Sequence, residues 1–156
     1  MPISQAMTNS FKVDILSGGH NFNTTNRALV SNTQDVFKLA MYTSSATLNA
    51  ATTEYSATNE ITNTGGSAYV AGGNTLTVSQ VPTSGGSPST TAYINFSNTS
   101  WNSATFTANG ALIYNSSNGN KSVAVLAFGS DKSVSAGTFT IQFPTAGTGS
   151  SIIQIA

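Results

Sequence analysis

Residues 101–143 read WNSATFTANGALIYNSSNGNKSVAVLAFGSDKSVSAGTFTIQF, and this stretch decides the fold. Apolar residues alternate or run in short blocks: Ala104/Phe106, Leu112/Ile113/Tyr114, Val123/Val125/Leu126/Phe128 and Phe139/Ile141/Phe143. Turn-forming residues separate the blocks at Ala108-Asn109-Gly110, Ser116 to Asn120, Gly129-Ser130-Asp131-Lys132 and Ala136-Gly137. Short apolar runs bounded by Gly, Asn, Asp and Ser predict consecutive antiparallel strands. No group in the stretch is equipped for catalysis.

The same pattern continues on both sides. Upstream, Asp35 to Tyr42 predicts a strand with Phe37, Leu39 and Met41 on one face and Val36 and Tyr42 on the other. Residues 43–60 are rich in Ser, Thr and Ala, with a possible turn of helix at Ala50 to Tyr55 and a short edge segment at Thr58 to Ile61. Gly65-Gly66 and Gly72-Gly73 flank Tyr69-Val70 and predict a loop whose backbone needs positive φ. Leu76 to Val81 alternates as a strand, PTSGGSP over Pro82 to Pro88 marks a hairpin tip, and Thr91 to Phe96 returns antiparallel. Downstream, Ala146 to Ser150 is a Gly-rich turn and Ile152 to Ile155 a closing strand.

Only the N-terminal segment reads as a helix. Ile3, Met7, Phe11 and Ile15 recur every fourth residue beside Val13 and Leu16, and Gly18-Gly19 supplies a stop. A helix of that length is marginal alone in water, so it has to dock, and its own β domain is the expected site. The expected organisation is one domain over 1–156, with an amphipathic helix at 3–17 and a β-sandwich over 34–156. The fold class is mainly all-β: an antiparallel sandwich or jelly roll of about eight strands, with a polar connection from His20 to Thr33.

Composition narrows the partners. Only 6% of residues are charged, against roughly 25% in an average soluble protein. Five Lys+Arg balance five Asp+Glu, so the formal net charge is +0. Five scattered cations make no phosphate-neutralising patch, and there is no basic amphipathic face, so neither nucleic acid nor a membrane surface is an expected partner. Near-zero charge favours association and suits a protein that lives in an assembly. There is no cysteine, hence no disulfide framework. MPISQAMTNSFKVDIL lacks the basic start and apolar core of a signal peptide. At 38% hydrophobic and 9% aromatic, with those residues placed periodically, the abundant Ser, Thr and Asn read as exposed strand positions and not as disorder.

The search for chemistry yields weak candidates. His20 is the single histidine, with Asp14 and Asp35 nearest in sequence, and a capping or surface role is the plainer reading. One His and no Cys do not make a zinc site, and Asp14, Asp35, Glu54, Glu60 and Asp131 show no calcium-loop spacing. Glu54 and Glu60 could pair in space. Gly pairs without a following Gly-Lys-Ser/Thr are not phosphate loops. The Asn-X-Ser/Thr sequons at Asn23, Asn95, Asn98, Asn115 and Asn120 are what chance gives in so Asn/Ser/Thr-rich a chain. Trp101, Tyr69 and Tyr93 are possible sugar platforms, with Trp101 better placed as a core cap. No catalytic residue, metal ligand or cofactor-binding residue is assigned, and an enzyme is not expected.

Several segments resemble a known family. They are Ser4-Gln5-Ala6-Met7, Ser10-Phe11-Lys12, His20-Asn21-Phe22, Phe37 to Leu48, Thr53 to Glu60, Ala71 to Leu76, Trp101 to Phe106, Gly110 to Asn115 and Val125 to Lys132. Taken in this order they are similar to small tailed-bacteriophage virion proteins. The departures are a longer Asn23–Thr33 connection and an insertion at 85–88. The resemblance implies a non-enzymatic structural component with a sandwich-like domain. Its first expectation is a capsid decoration or cement protein, a homotrimer on the outer capsid surface that bridges major capsid proteins and is assembled in the host cytoplasm. The alternatives are a tail, baseplate or fibre-associated virion protein and a carbohydrate-binding module. In the decoration reading the N-terminal segment and one set of loops form the contacts to the capsid or between subunits, and deletion of residues 1–17 abolishes particle binding or oligomerisation while leaving the β domain folded.

Overall fold

The computed structural model describes residues 3–23, 33–62, 68–85 and 90–156. In chain order the elements are β1 (Ala6–Met7), α1 (Asn9–Leu16), β2 (Phe37–Tyr42), β3 (Asn74–Leu76), β4 (Val78–Ser84), β5 (Ala92–Phe96), β6 (Thr99–Asn115), β7 (Lys121–Ile141) and β8 (Ile153–Ile155). Two antiparallel sheets result, one ordered β1-β7-β6-β2-β3 and the other β4-β5-β8. Ile94, Phe96 and Ile153 of the smaller sheet share one buried cluster with Leu39, Ile113 and Leu126 of the larger. Among the described residues the molecule is a mainly β sandwich with one short helix, as the strand pattern predicts. Three expectations fall on residues outside the described set: the Gly65-Gly66 pair, the tip at 86–89 and most of the polar connection, 24–32.

The 101–143 stretch differs from its reading in one respect. Of its four turn clusters only Ser116 to Asn120 reverses the chain; the other three lie inside β6 and β7, which pair from Thr99↔Ile141 to Asn115↔Lys121. Ala108-Asn109-Gly110 and Gly129 to Lys132 sit at one irregularity, where the partner of β6 jumps from Lys132 at Ala108 to Ala127 at Gly110. Ser103, Gly129 and Ala136 take positive φ at such sites. A bulge absorbs surplus residues and bends the ribbon, so Ala104, Phe106 and Ala108 stay in the core. The turn formers were read correctly as local backbone chemistry and wrongly as strand ends.

The expected helix at 3–17 is also corrected, since it covers only Asn9–Leu16. Ile3 makes a parallel bridge to Leu48, and Ala6 and Met7 pair with Val125 and Ala124. Thr8 caps the helix, its hydroxyl accepting the Phe11 N–H. At the other end Gly19 N–H donates to Asp14 O and Gly18 N–H, at φ +72°, to Ile15 O, the paired bonds of a Schellman stop. Docking is on the chain's own β domain, with Phe11 fully buried in the shared core. Val13 and Leu16, expected beside the apolar stripe, are 63% and 89% exposed. Ile3, Thr8 and Phe11 are thus buried parts of the fold, which argues against the expectation that residues 1–17 can be removed from a folded domain.

β2 has two buried faces. Phe37, Leu39 and Met41 point into the inter-sheet core, while Ala40 and Tyr42 join Ile3, Ala46, Leu48, Leu112, Tyr114 and Val125 in a second cluster on the sheet's other side. The Ser/Thr/Ala-rich segment 43–60 covers that side. Its 49–52 turn is built on Asn49, whose side chain accepts the Ala51 N–H, in place of the helical turn considered for Ala50 to Tyr55. Leu76 to Val81 is not one strand but two. The chain leaves the larger sheet after Leu76 and enters the smaller at Val78. Pro82 is tolerated because β4 is an edge strand.

Candidate functional site

Glu60 anchors the densest cluster of titratable groups. It is 7% exposed, and its Oε1 accepts the Tyr69 hydroxyl at 2.5 Å and the Gly72 N–H at 2.7 Å, while Oε2 accepts the Tyr55 hydroxyl at 2.6 Å. Hydrogen bonds from three directions replace the water that a buried carboxylate loses. Tyr69 also accepts the Met41 N–H at 2.9 Å, standing in for a strand partner at the edge of β2. Tyr114 donates to Gly72 O at 2.9 Å and Tyr42 to Ser56 O at 2.7 Å. The backbone must come very close here: a Cβ on Gly73, at φ +71°, would lie 1.7 Å from Leu39 O. Desolvation raises all four tyrosines, Tyr114 to about 12 and Tyr42, Tyr55 and Tyr69 further; direct bonds to Glu60 add to the rise for Tyr55 and Tyr69. The hydroxyls therefore stay protonated as donors. The cluster pins the loops that end β2, and a cleft of about 310 Å³ lined by Ala57, Ile61, Val70 and Ala71 opens beside it.

His20 forms a second cluster. Its ring packs against Phe11, Phe22 and Phe37, with centroids 5.0, 6.3 and 6.3 Å away. Nδ1 lies 3.0 Å from Asn115 Nδ2; the amide only donates, so Nδ1 accepts and the neutral ring carries its proton on Nε2, 3.8 Å from Asp14 Oδ2. Asn115 also donates to Asp35 Oδ2 at 2.7 Å, and Lys121 Nζ meets Asp14 Oδ1 at 2.7 Å. The structure thus brings His20, Asp14 and Asp35 together, joined by Asn115, which sequence spacing could not indicate. Burial lowers the His20 pKa below 6.5, against the opposing pull of Asp14 and Asp35 and with the help of Lys121. Such a setting holds a neutral imidazole in place and does not present it to a substrate.

The remaining candidates separate. Glu54 is exposed at a bridge to Lys121, and its expected partner Glu60 is occupied by tyrosines. Among the sugar platforms, Tyr69 and Trp101 are 0% and 2% exposed, and only Tyr93 is half-buried. Trp101 caps the core with Phe106 edge-on at 6.4 Å, and its indole N–H is buried with no hydrogen-bond acceptor among the described residues.

The outer surface has two distinctive regions. The first is the part of the β6–β7 ribbon beyond Asn109 and Gly129. One face carries Trp101, Phe106 and Phe139, and the other a row of cross-strand polar pairs. Ser100 meets Thr140 at 2.8 Å, Thr107 meets Ser133 at 2.7 Å, Thr138 donates to Asn102 at 3.1 Å and Asn109 to Asp131 at 2.8 Å. β1 covers the outer edge of β7 only at Ala124 and Val125; among the described residues no strand pairs with that edge from Gly129 to Ile141. The second region is a cleft of about 350 Å³ between α1 and β8, lined by Met7, Lys12, Ile15, Leu16 and Ile155. Among the described residues no three His, Asp or Glu side chains gather to hold a metal. The chain matches no family model, no curated protein and no solved structure.

Proposed function

We propose that this chain is a structural protein of a tailed-bacteriophage virion, a decoration or cement protein that joins neighbouring major capsid proteins on the outer head surface as a homotrimer. The observation that carries the reading is the ribbon of Thr99–Asn109 and Gly129–Ile141. It presents hydroxyls and amides with Asp131 and Lys132 its only charges, and no strand among the described residues pairs with its β7 edge. Unpaired strand edges invite a further strand, and natural monomers usually blunt them with charge or cover. A contact made there would add association energy at every lattice position, and a standard interface of about 1,600 Å² suffices when repeated. The sequence resemblance and the near-absence of charge support the same reading, while Glu60 and His20 are taken up by internal hydrogen bonds.

The test is a cryo-EM map of the virion, paired with a ribbon variant. Density for this chain over capsomer seams, at lattice copy number, is the expected result. Density at the tail or baseplate instead would move the protein to that alternative. Thr138→Arg, on the solvent face, should leave stability within about 0.5 kcal/mol and abolish particle association. Undiminished association by a folded Thr138→Arg protein would remove the ribbon from the interface.

A further inference from the structure

We propose that Asn118 is a site of spontaneous deamidation and that its conversion loosens α1 from the β6–β7 turn. The chain contains two Asn-Gly steps, Asn109-Gly110 and Asn118-Gly119. A following glycine leaves its backbone nitrogen unshielded for attack on the asparagine side chain, but the attack needs backbone freedom. Gly110 has none: it pairs with Tyr42 on one side and Ala127 on the other, and a Cβ there would lie 2.6 Å from Leu126 O. Gly119 is exposed in the hairpin turn at φ +59°, with nothing within 4 Å of a Cβ position. Its N–H has no hydrogen-bond acceptor among the described residues. The same dipeptide is therefore locked inside a sheet in one place and set in an exposed turn in the other, where, among the described residues, only the Lys121 N–H bond to Asn118 O and the side-chain bond to Gly19 O hold it.

The reaction needs only water and hydroxide. Hydroxide removes the Gly119 amide proton, and the nitrogen attacks Asn118 Cγ. The new C–N bond closes a succinimide as the Cγ–Nδ2 bond breaks, and nitrogen leaves as ammonia after taking a proton from water. Water then opens either ring carbonyl, leaving aspartate or isoaspartate.

The consequence follows from what Asn118 holds. Its Nδ2 donates to Gly19 O at 2.6 Å, tying the turn to the stop of α1. Conversion replaces that donor with a carboxylate facing a carbonyl oxygen. It also adds an anion at the C-terminal end of a helix, where the backbone carbonyls already carry partial negative charge. Asp14 is close by as well, its Cβ 3.1 Å from a Cβ built on Gly19.

The folded protein is aged in mildly alkaline buffer and mapped by peptide mass spectrometry, beside an unstructured peptide of residues 112–124. Asn118 should convert to a mixture of aspartate and isoaspartate while Asn109 stays intact. An unchanged Asn118 after the peptide has fully reacted overturns the site, and equal conversion at Asn109 overturns the role of the fold. The Asn118→Asp variant, read by hydrogen exchange, should show α1 amides exchanging severalfold faster than wild type. Unchanged α1 protection in that variant overturns the loosening.

Discussion

Tyr69 shows how a single hydroxyl can terminate a sheet. It accepts the Met41 N–H and donates to Glu60, so its removal orphans a buried backbone donor and leaves Glu60 Oε1 with the Gly72 N–H alone. Tyr69→Phe keeps the ring packed against Trp101 and Phe106, and isolates that loss. It should cost about 2–3 kcal/mol in urea denaturation, because the bond to a charged acceptor and the orphaned N–H both count. A cost below about 0.5 kcal/mol would mean that water reaches the cluster. Nothing in the sequence pointed to this cluster as a unit. Tyr55, Glu60 and Tyr69 lie in stretches without hydrophobic period, and they meet only because Tyr42 brings its bridge partner Glu60 alongside β2. Asn115 was invisible for the same reason, since it links His20 and Asp35 from the end of β6, 95 and 80 residues further along the chain.

Elements were legible where one local period matched one environment. β2, β5 and β8 stand close to where alternation puts them, because their apolar residues face a core that the pattern itself implies. The N-terminal segment misleads because an interval of four residues satisfies a helical repeat and a strand repeat alike. Ile3 and Met7 belong to extended chain and Phe11 and Ile15 to helix, and the boundary is drawn by Thr8, whose capping chemistry marks the start that periodicity obscured. Likewise Asn109-Gly110 and Gly129 carry turn chemistry that becomes a bulge once long-range pairing holds the strands on both sides. Because Phe11 is built into one core cluster and Ile3 into the other, with Thr8 fully buried between them in the chain, deletion of residues 1–17 should abolish the cooperative unfolding transition in circular dichroism. Phe11→Ala alone should cost roughly 3–5 kcal/mol. A truncated chain that melts sharply near the wild-type temperature would contradict this account.

At the scale of the whole molecule, stability should fall at both ends of the pH range, for opposite reasons. The folded state holds the His20 pKa below its unfolded value of 6.5, so the unfolded chain binds more protons in that window. The contribution is complete above about pH 6.5 and lost as pH falls through it. The four tyrosines around Glu60 are raised above 10.0, so their contribution is complete below that pH and lost as pH rises beyond it. Urea midpoints measured from about pH 5 to pH 11 should form a plateau with two falling flanks, and His20→Gln should flatten the acid flank alone. An acid flank unchanged in that variant would shift the cause to the carboxylates. The placement of β1 against the middle of β7 bears on the order of events during synthesis. Ala6 and Met7 wait for Val125 and Ala124, whereas β6 and β7 can close across a five-residue turn as soon as both are made. Late, long-range closure is slow and leaves apolar chain uncovered in the interval. Ile3 and Phe11, made well before β6 and β7, are thus among the last to find their partners, and nascent molecules are most vulnerable to aggregation until they do.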